Sequence, residues 1–277
     1  MRVESRIKRD AFFGAIGKYP LVMGILNLTP DSFFDGGRFQ SPDLALARAR
    51  RMASEGSAIL DIGAESTRPG ATPVPEEEEI ARLEYALEHI SNDVDAPFSV
   101  DTAKANVAAL ACRLGAILVN DIWGLQKDPG MADVVASAEA GIVIMHNRVE
   151  KDEGVDIIAD MRRFFDRSLE IAAKAGIPYD RIILDPGIGF AKTARQNFLA
   201  LAGVANLTDY GLPVLIGASR KRFLGSLTGD GVEGSLIGSI TVNLAAAAAG
   251  ASIFRVHDVA ENAAALRLFA KLRAAAG

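Results

Sequence analysis

Three residues with hydrogen-bond acceptors stand at the ends of short apolar runs: Asp101 after Phe98-Ser-Val, Asn120 after Ile117-Leu-Val, and Asp185 after Ile182-Ile-Leu. Two carboxylates and a side-chain amide offer several acceptors and one amide donor, a set that suits the edge of a flat heterocycle carrying several N–H groups. A second set, Asn27, Arg68, Arg255 and His257, offers donors for a phosphate-type anion, with arginine supplying a two-pronged grip. Further polar residues recur at the same kind of position: Asp61, Asp121 beside Asn120, His146, and Ser219 with Lys221. Taken singly, each has a plain explanation, because Asp or Asn after a strand is commonly a turn or cap residue. His89 reads as an ordinary surface or core histidine. The chemical reading rests on every strand end being polar at once.

Other chemistries find no footing in the spacing. With three histidines and one cysteine there is no His-x-x-x-His and no Cys-x-x-Cys, so a transition-metal site is not expected. Magnesium held mainly by substrate phosphates and one protein oxygen would leave only a faint signal of this kind. The chain has no Gly-x-x-x-x-Gly-Lys-[Ser/Thr] phosphate loop and no Gly-x-Ser-x-Gly nucleophile turn.

Elements must gather these residues. Apolar runs predict strands at Leu21–Leu26, Ala58–Ile62, Pro97–Asp101, Ala116–Asn120, Gly141–Met145, Arg181–Asp185, Pro213–Gly217 and Ala251–Val256. Helical patterns lie between them. Ser41-Pro42-Asp43 is a helix start, Pro75 followed by four glutamates opens another, and Thr102 is placed to cap the helix through Leu114. Further helices are expected around Met131–Ala140, Asp156–Ala175, Lys221–Leu227 and Gly234–Ala249, and a last one, capped by Asp258, runs to Ala275. Eight strand–helix repeats of about 30 residues predict an α/β single-domain (β/α)8 barrel, whose site lies at the C-terminal ends of the strands. A miscounted strand would reopen an open, flavodoxin-like sheet. Two long loops rich in Gly and Pro, Asn27–Arg38 and Gly63–Pro75, leave the first two strands at that end.

The whole chain bounds the reading. At 277 residues, 49% of them apolar, it carries enough for a sizeable core. A net charge of −5 with no basic stripe argues against a nucleic-acid partner. The single Cys112 excludes an intrachain disulfide and fits a buried helix position in a reducing, cytoplasmic setting. Residues 1–18 mix both charge signs with apolar residues, which sets them apart from a signal peptide and makes them an N-terminal extension. The uncharged stretch Gly234 to Phe254 holds Ser235, Ser239, Thr241 and Asn243, so it reads as a fully buried helix and a strand rather than a membrane span.

Nine motifs now resemble the dihydropteroate synthase family in its order. They are Met23-Gly-Ile-Leu-Asn-Leu-Thr-Pro-Asp-Ser-Phe33, Asp35-Gly-Gly37, Asp61-Ile-Gly-Ala-Glu-Ser-Thr-Arg-Pro-Gly70, Ser99-Val-Asp-Thr102, Val119-Asn-Asp-Ile122, Met145-His146, Asp185-Pro-Gly-Ile-Gly-Phe190, Ser219-Arg-Lys221 and Arg255-Val-His-Asp258. The resemblance implies a (β/α)8 barrel that condenses 6-hydroxymethyl-7,8-dihydropterin pyrophosphate with p-aminobenzoate, giving 7,8-dihydropteroate and pyrophosphate. It also implies Mg²⁺ as cofactor and a homodimer.

Carried over motif by motif, Asp101, Asn120, Met145, Asp185, Phe190 and Lys221 look like the pterin contacts. Asn27, Arg68, Arg255 and His257 look like the pyrophosphate site, with Asn27 also the metal-linked residue. Phe33, Thr67, Pro69, Ser219 and Lys221 look like the p-aminobenzoate surroundings. Lys221, Asp35 and Arg255 are the residues the resemblance marks as catalytic. The chain departs from the family pattern at Phe34, Ala64, Asn147, Ala191 and Arg222, where Ala64 and Ala191 each replace a glycine. Phe34 and Arg222 border the p-aminobenzoate pocket, so inhibitor sensitivity is the property they bear on.

The implied chemistry is displacement at the pterin's exocyclic CH₂, which needs positioning and electrostatic stabilisation but no protein nucleophile. Three rivals stand beside it. A methyltetrahydrofolate methyltransferase shares the barrel, but the Ser66–Gly70 and Ser219–Lys221 motifs speak against it. A non-catalytic pterin-binding protein would not need Asn27, Arg68 and His257. A purely structural barrel leaves the polar strand ends unexplained.

Overall fold

Parallel strands buried on both faces are nearly continuous apolar runs, and the described residues hold eight: β1 Leu21–Asn27, β2 Ile59–Gly63, β3 Phe98–Asp101, β4 Leu118–Asp121, β5 Gly141–Met145, β6 Ile182–Asp185, β7 Leu215–Ile216 and β8 Ile253–Val256. The computed structural model describes residues 1–28, 34–35, 38–39, 42–65, 72–229 and 231–275. The strands hydrogen-bond in the order β6-β5-β4-β3-β2-β1-β8-β7, all parallel. A parallel bridge between Leu184 and Val214 then joins β6 to the approach of β7, so the sheet closes into a (β/α)8 barrel.

Helices cover the outside of the barrel, beginning with α2 Pro42–Glu55 and continuing with α3 Glu76–Asp93, α4 Ala105–Leu114, α5 Met131–Ser137, α6 Ile157–Ala175, α7 Ala194–Ala202, α8 Val204–Leu207, α9 Arg222–Thr228, α10 Val232–Ala248 and α11 Val259–Ala275. Local chemistry sets their ends. The Asp156 carboxylate accepts from the N–H groups of Ile158 and Ala159, and Gly176 closes the same helix at φ 81°. Thr193 and Gln196 form a reciprocal capping box at the start of α7.

One further helix, α1 Val3–Ala15, precedes the barrel and plugs its N-terminal end. Phe12 joins the apolar cluster inside the barrel with Leu21, Met23, Ile59, Val143 and Ile253. A Cβ on Gly141 would lie 2.4 Å from the Phe13 ring, so only glycine leaves room for that ring. The N-terminal extension therefore completes the core. A larger cluster packs the outer faces of the strands against the helices.

Three expectations change. The helix α4 begins at Ala105 with Lys104 as its N-cap, not at Thr102. The Thr102 hydroxyl instead donates to Glu79 at 2.8 Å, and the Ala105 N–H is met by Asp128 at 2.8 Å. The seventh strand is only Leu215–Ile216, because Pro213 has no N–H to add to the ladder. Helix α10 is buried along one face only: Gly238, Ser239, Asn243 and Ala246 are buried, whereas Ile237 is 56% exposed. No single helix among the described residues is long and apolar enough to cross a membrane.

Candidate active site

Side chains alternate along a strand, so parity decides which residues enter the barrel. Leu21 and Met23 of β1 lie in the interior cluster, and the same parity carries Asn27 to the rim, half-buried. In β2, Ile59 lies inside and Asp61 follows on the same face. In β3 and β4 the inward set is Ser99, Asp101, Leu118 and Asn120. In β8, Ile253 lies inside and Arg255 follows. The interior is thus apolar at the bottom and charged at the top.

Asp61 is fully buried at the centre of this polar layer. Ser99 Oγ donates to its Oδ1 at 2.6 Å, while Asn120 Nδ2 at 3.0 Å and Arg255 Nε at 2.5 Å donate to its Oδ2. Arg255 Nη2 also donates to Asp101 Oδ2 at 2.6 Å. Each member is fixed by another, and two buried acceptors remain without a partner: Asp101 Oδ1 and Asn120 Oδ1. Unpartnered buried acceptors are uncommon and costly in a folded protein, so they point to a missing donor. Burial raises the Asp101 pKa above the ordinary carboxylate range, against the pull of Arg255. Burial also works against the Arg255 charge, but Asp61 and Asp101 outweigh it and hold the guanidinium protonated.

Asp185 ends β6 on the same inner rim, and Met145 is its register partner across β5. Its Oδ1 accepts the Gly187 N–H at 2.7 Å, and burial raises its pKa to about 6. Gly187 is required here: φ is 65°, and a Cβ would fall 1.9 Å from the His146 carbonyl oxygen. Beyond the turn, the Lys221 ammonium lies 4.4 Å above the Phe190 ring, a cation–π contact. Ser219 Oγ meets His257 twice, accepting from its N–H at 3.2 Å and lying 3.1 Å from its Nδ1. Between Ser219 and Lys221, Arg220 adopts φ 56° and chelates the Asp258 carboxylate through Nε and Nη2. This clamp ties the loop after β7 to the loop after β8.

The barrel therefore brings Asp101, Asn120, Met145, Asp185 and Arg255 to one inner rim, with Asn27, Phe190, Ser219, Lys221 and His257 on the strand end and loops that border it. Asp35 is described only as backbone, in a two-residue strand paired with Arg38–Phe39. Phe33, Thr67, Arg68 and Pro69 lie outside the described residues.

Two strand-end residues do not face the mouth. Asp121 follows Asn120 and so has outward parity; its carboxylate accepts the N–H groups of Trp123 and Leu125. His146 follows Met145 and turns outward too. It is buried against Phe164 and Phe165 with Nε2 3.2 Å from Asp160, and burial lowers its pKa to about 3. His89 is a half-buried helix residue whose Nδ1 lies 2.8 Å from the Tyr85 carbonyl oxygen. The Gly229, Gly231 and Gly234 spacing fits a dinucleotide-binding turn, but it joins two helices and follows no strand. The residue whose role the motifs left unassigned is Asp61. Its signal was present: a carboxylate two places after Ile59, hence on the inner face of a buried strand.

The chain matches the family of pterin binding enzymes over residues 23–257. It is 46% identical to the dihydropteroate synthase of Bacillus subtilis, over 86% of this chain and 84% of that protein. A crystal structure of the dihydropteroate synthase of Clostridium difficile, obtained in the presence of pteroic acid, superposes with a TM-score of 0.89 at 41% identity, covering 93% of this chain and 98% of that one. The Xanthomonas albilineans dihydropteroate synthase with 4-aminobenzoic acid gives 0.88 at 42% identity, covering 92% and 94%. A barrel of this order, with unpartnered acceptors at its mouth and identity of this extent, belongs to the dihydropteroate synthase family of pterin binding enzymes.

Proposed function

We propose that the chain is a transferase of folate biosynthesis, condensing 6-hydroxymethyl-7,8-dihydropterin pyrophosphate with p-aminobenzoate to give 7,8-dihydropteroate and pyrophosphate. The observation that carries this reading is the pair of buried acceptors, Asp101 Oδ1 and Asn120 Oδ1, left open beside Asp185. Pterin N–H groups are the donors that such a set accepts. Phe190 gives the ring an apolar face, Met145 a soft neighbour, and Lys221 a cation over the same aromatic.

In the reaction the amine nitrogen of p-aminobenzoate forms a bond to the exocyclic CH₂ as the C–O bond to pyrophosphate breaks, and the amine gives up a proton. The protein positions the two partners and stabilises the departing charge. Arg255 uses two of the five N–H donors of a guanidinium on Asp61 and Asp101, which orients the remainder. His257 and Asn27 supply further polar groups for the leaving pyrophosphate, and Arg68 is assigned there by its motif. Ser219 and Lys221 border the p-aminobenzoate side, with Phe33, Thr67 and Pro69 assigned by motif alone. Asp35 joins Lys221 and Arg255 as catalytic on the same ground.

The donor set fits Mg²⁺ that arrives with the substrate. Asn27 offers one neutral oxygen, and among the described residues no group of three His, Cys, Asp or Glu is poised to hold a metal alone. Bound there, the ion would neutralise charge on the pyrophosphate. A homodimer fits an exposed apolar patch: Leu227 is 73%, Val232 72% and Ile237 56% exposed on α9 and α10, with Phe198 and Leu199 on neighbouring α7. The cytoplasm fits the single Cys112, a buried thiol whose pKa burial raises to about 12.

The test is pyrophosphate release by the purified chain with Mg²⁺. Release is expected only when both substrates are present. Methyl transfer from methyltetrahydrofolate, with no dihydropteroate formed, would overturn the reading.

A further inference from the structure

Lys192 closes the Asp185 turn and is buried, at 2% exposure, although it carries an ammonium. Its ammonium donates to three main-chain carbonyl oxygens: Gly187 at 2.9 Å, Phe190 at 3.3 Å and His146 at 3.4 Å. An ammonium has three N–H donors, so all three are taken by backbone. These carbonyls belong to two different strand ends, the one after β5 and the one after β6. Met145 immediately precedes the first of these carbonyls, Asp185 and Phe190 bound the turn that carries the other two, and the Lys221 stem packs over Gly189.

Within the turn only two short-range bonds hold the backbone, Gly187 N–H to the Asp185 carboxylate and Phe190 N–H to the Gly187 carbonyl. Gly187, Gly189 and Ala191 all have positive φ, at 65°, 86° and 41°, and no ladder bond joins the segment to a neighbouring strand beyond Asp185. Lys192 ties it from beneath, and Asn197 adds a second tie by accepting the Gly189 N–H at 2.6 Å. Deep burial lowers the Lys192 pKa to about 7 even though Asp185 favours its charge. A group kept in so unfavourable a place has a structural return, and the reaction chemistry does not use it.

We propose that Lys192 is a positioning residue for the pterin pocket: by clamping the carbonyls of His146, Gly187 and Phe190 it sets Asp185 and Phe190 at the spacing a bound ring requires. This rests on the dihydropteroate synthase reading. The test is calorimetry of 6-hydroxymethyl-7,8-dihydropterin pyrophosphate with Mg²⁺ on the wild-type chain and on Lys192→Met, at a temperature where circular dichroism shows both folded. Affinity is expected to fall at least fivefold. A change below fivefold, whatever happens to the melting temperature, overturns the proposal, because a merely structural lysine would alter melting and leave affinity alone. If Lys192→Met does not fold, Asn197→Ala removes the second tie, with a loss of at least threefold expected and a smaller one overturning the proposal. Failure of the wild-type chain itself to bind would overturn the functional reading as well.

Discussion

Strand β8 passes from Ile253, packed in the apolar interior, to Arg255, held between two carboxylates, in two residues; β2 does the same from Ile59 to Asp61. The lower end of the barrel is filled by α1, which seats Phe12 among the inward aliphatic residues. The upper end keeps buried charges whose desolvation is unfavourable and two acceptors without donors. One backbone thus carries stability at one end and binding at the other, and the two should be separable by substitution.

The largest effect is expected at the lower end. Phe12→Ala removes a buried aromatic from the plug, and such truncations cost about 3–5 kcal/mol. Chemical denaturation should show that loss, while pterin affinity, measured well below the transition, stays within about twofold of wild type. A large affinity loss would show that the two ends are coupled.

Asp185→Asn sharpens the contrast from above. Loss of a charged acceptor should weaken pterin binding by about 1–3 kcal/mol. Stability should respond in the opposite sense. The folded pKa of about 6 lies above the ordinary 3.8, so in wild type this group's contribution is fully present below about pH 4 and is lost as pH rises to about 6. The variant lacks that slope. Its stability relative to wild type should therefore rise by up to about 3 kcal/mol between pH 4 and 7. Urea melts across that range check it, and a flat difference would refute the buried, raised carboxylate.

The smallest effect concerns Ala191, which stands in place of a family glycine at φ 41°. Ala191→Gly should relieve the left-handed strain and raise stability by about 0.5–1 kcal/mol. Destabilisation would mean that the turn is not strained there.

How much of this was legible in the sequence follows from the range of the forces. Strand order and the polar rim follow from local apolar runs, so the barrel and Asp101, Asn120 and Asp185 were readable directly. Asp121 and His146 were misplaced because a one-residue step reverses the face, and strand ends blur by that much. Thr102 looked like a cap, yet Glu79, 23 residues earlier, claims its hydroxyl. Lys192 acts on main-chain carbonyls, which carry no residue identity for a sequence to display. The exposed face of α10 was hidden because it carries large apolar residues, Val232 and Ile237, while the buried face carries small ones such as Gly234, Gly238 and Ala246.

The central claim is that the open oxygens of the barrel mouth receive the pterin. A crystal structure of the chain with a pterin bound tests it most directly. Ring N–H groups are expected within about 2.7–3.2 Å of Asp101 Oδ1 and Asn120 Oδ1, with Asp185 as a third acceptor. A pterin bound with both oxygens still unpartnered would contradict the account.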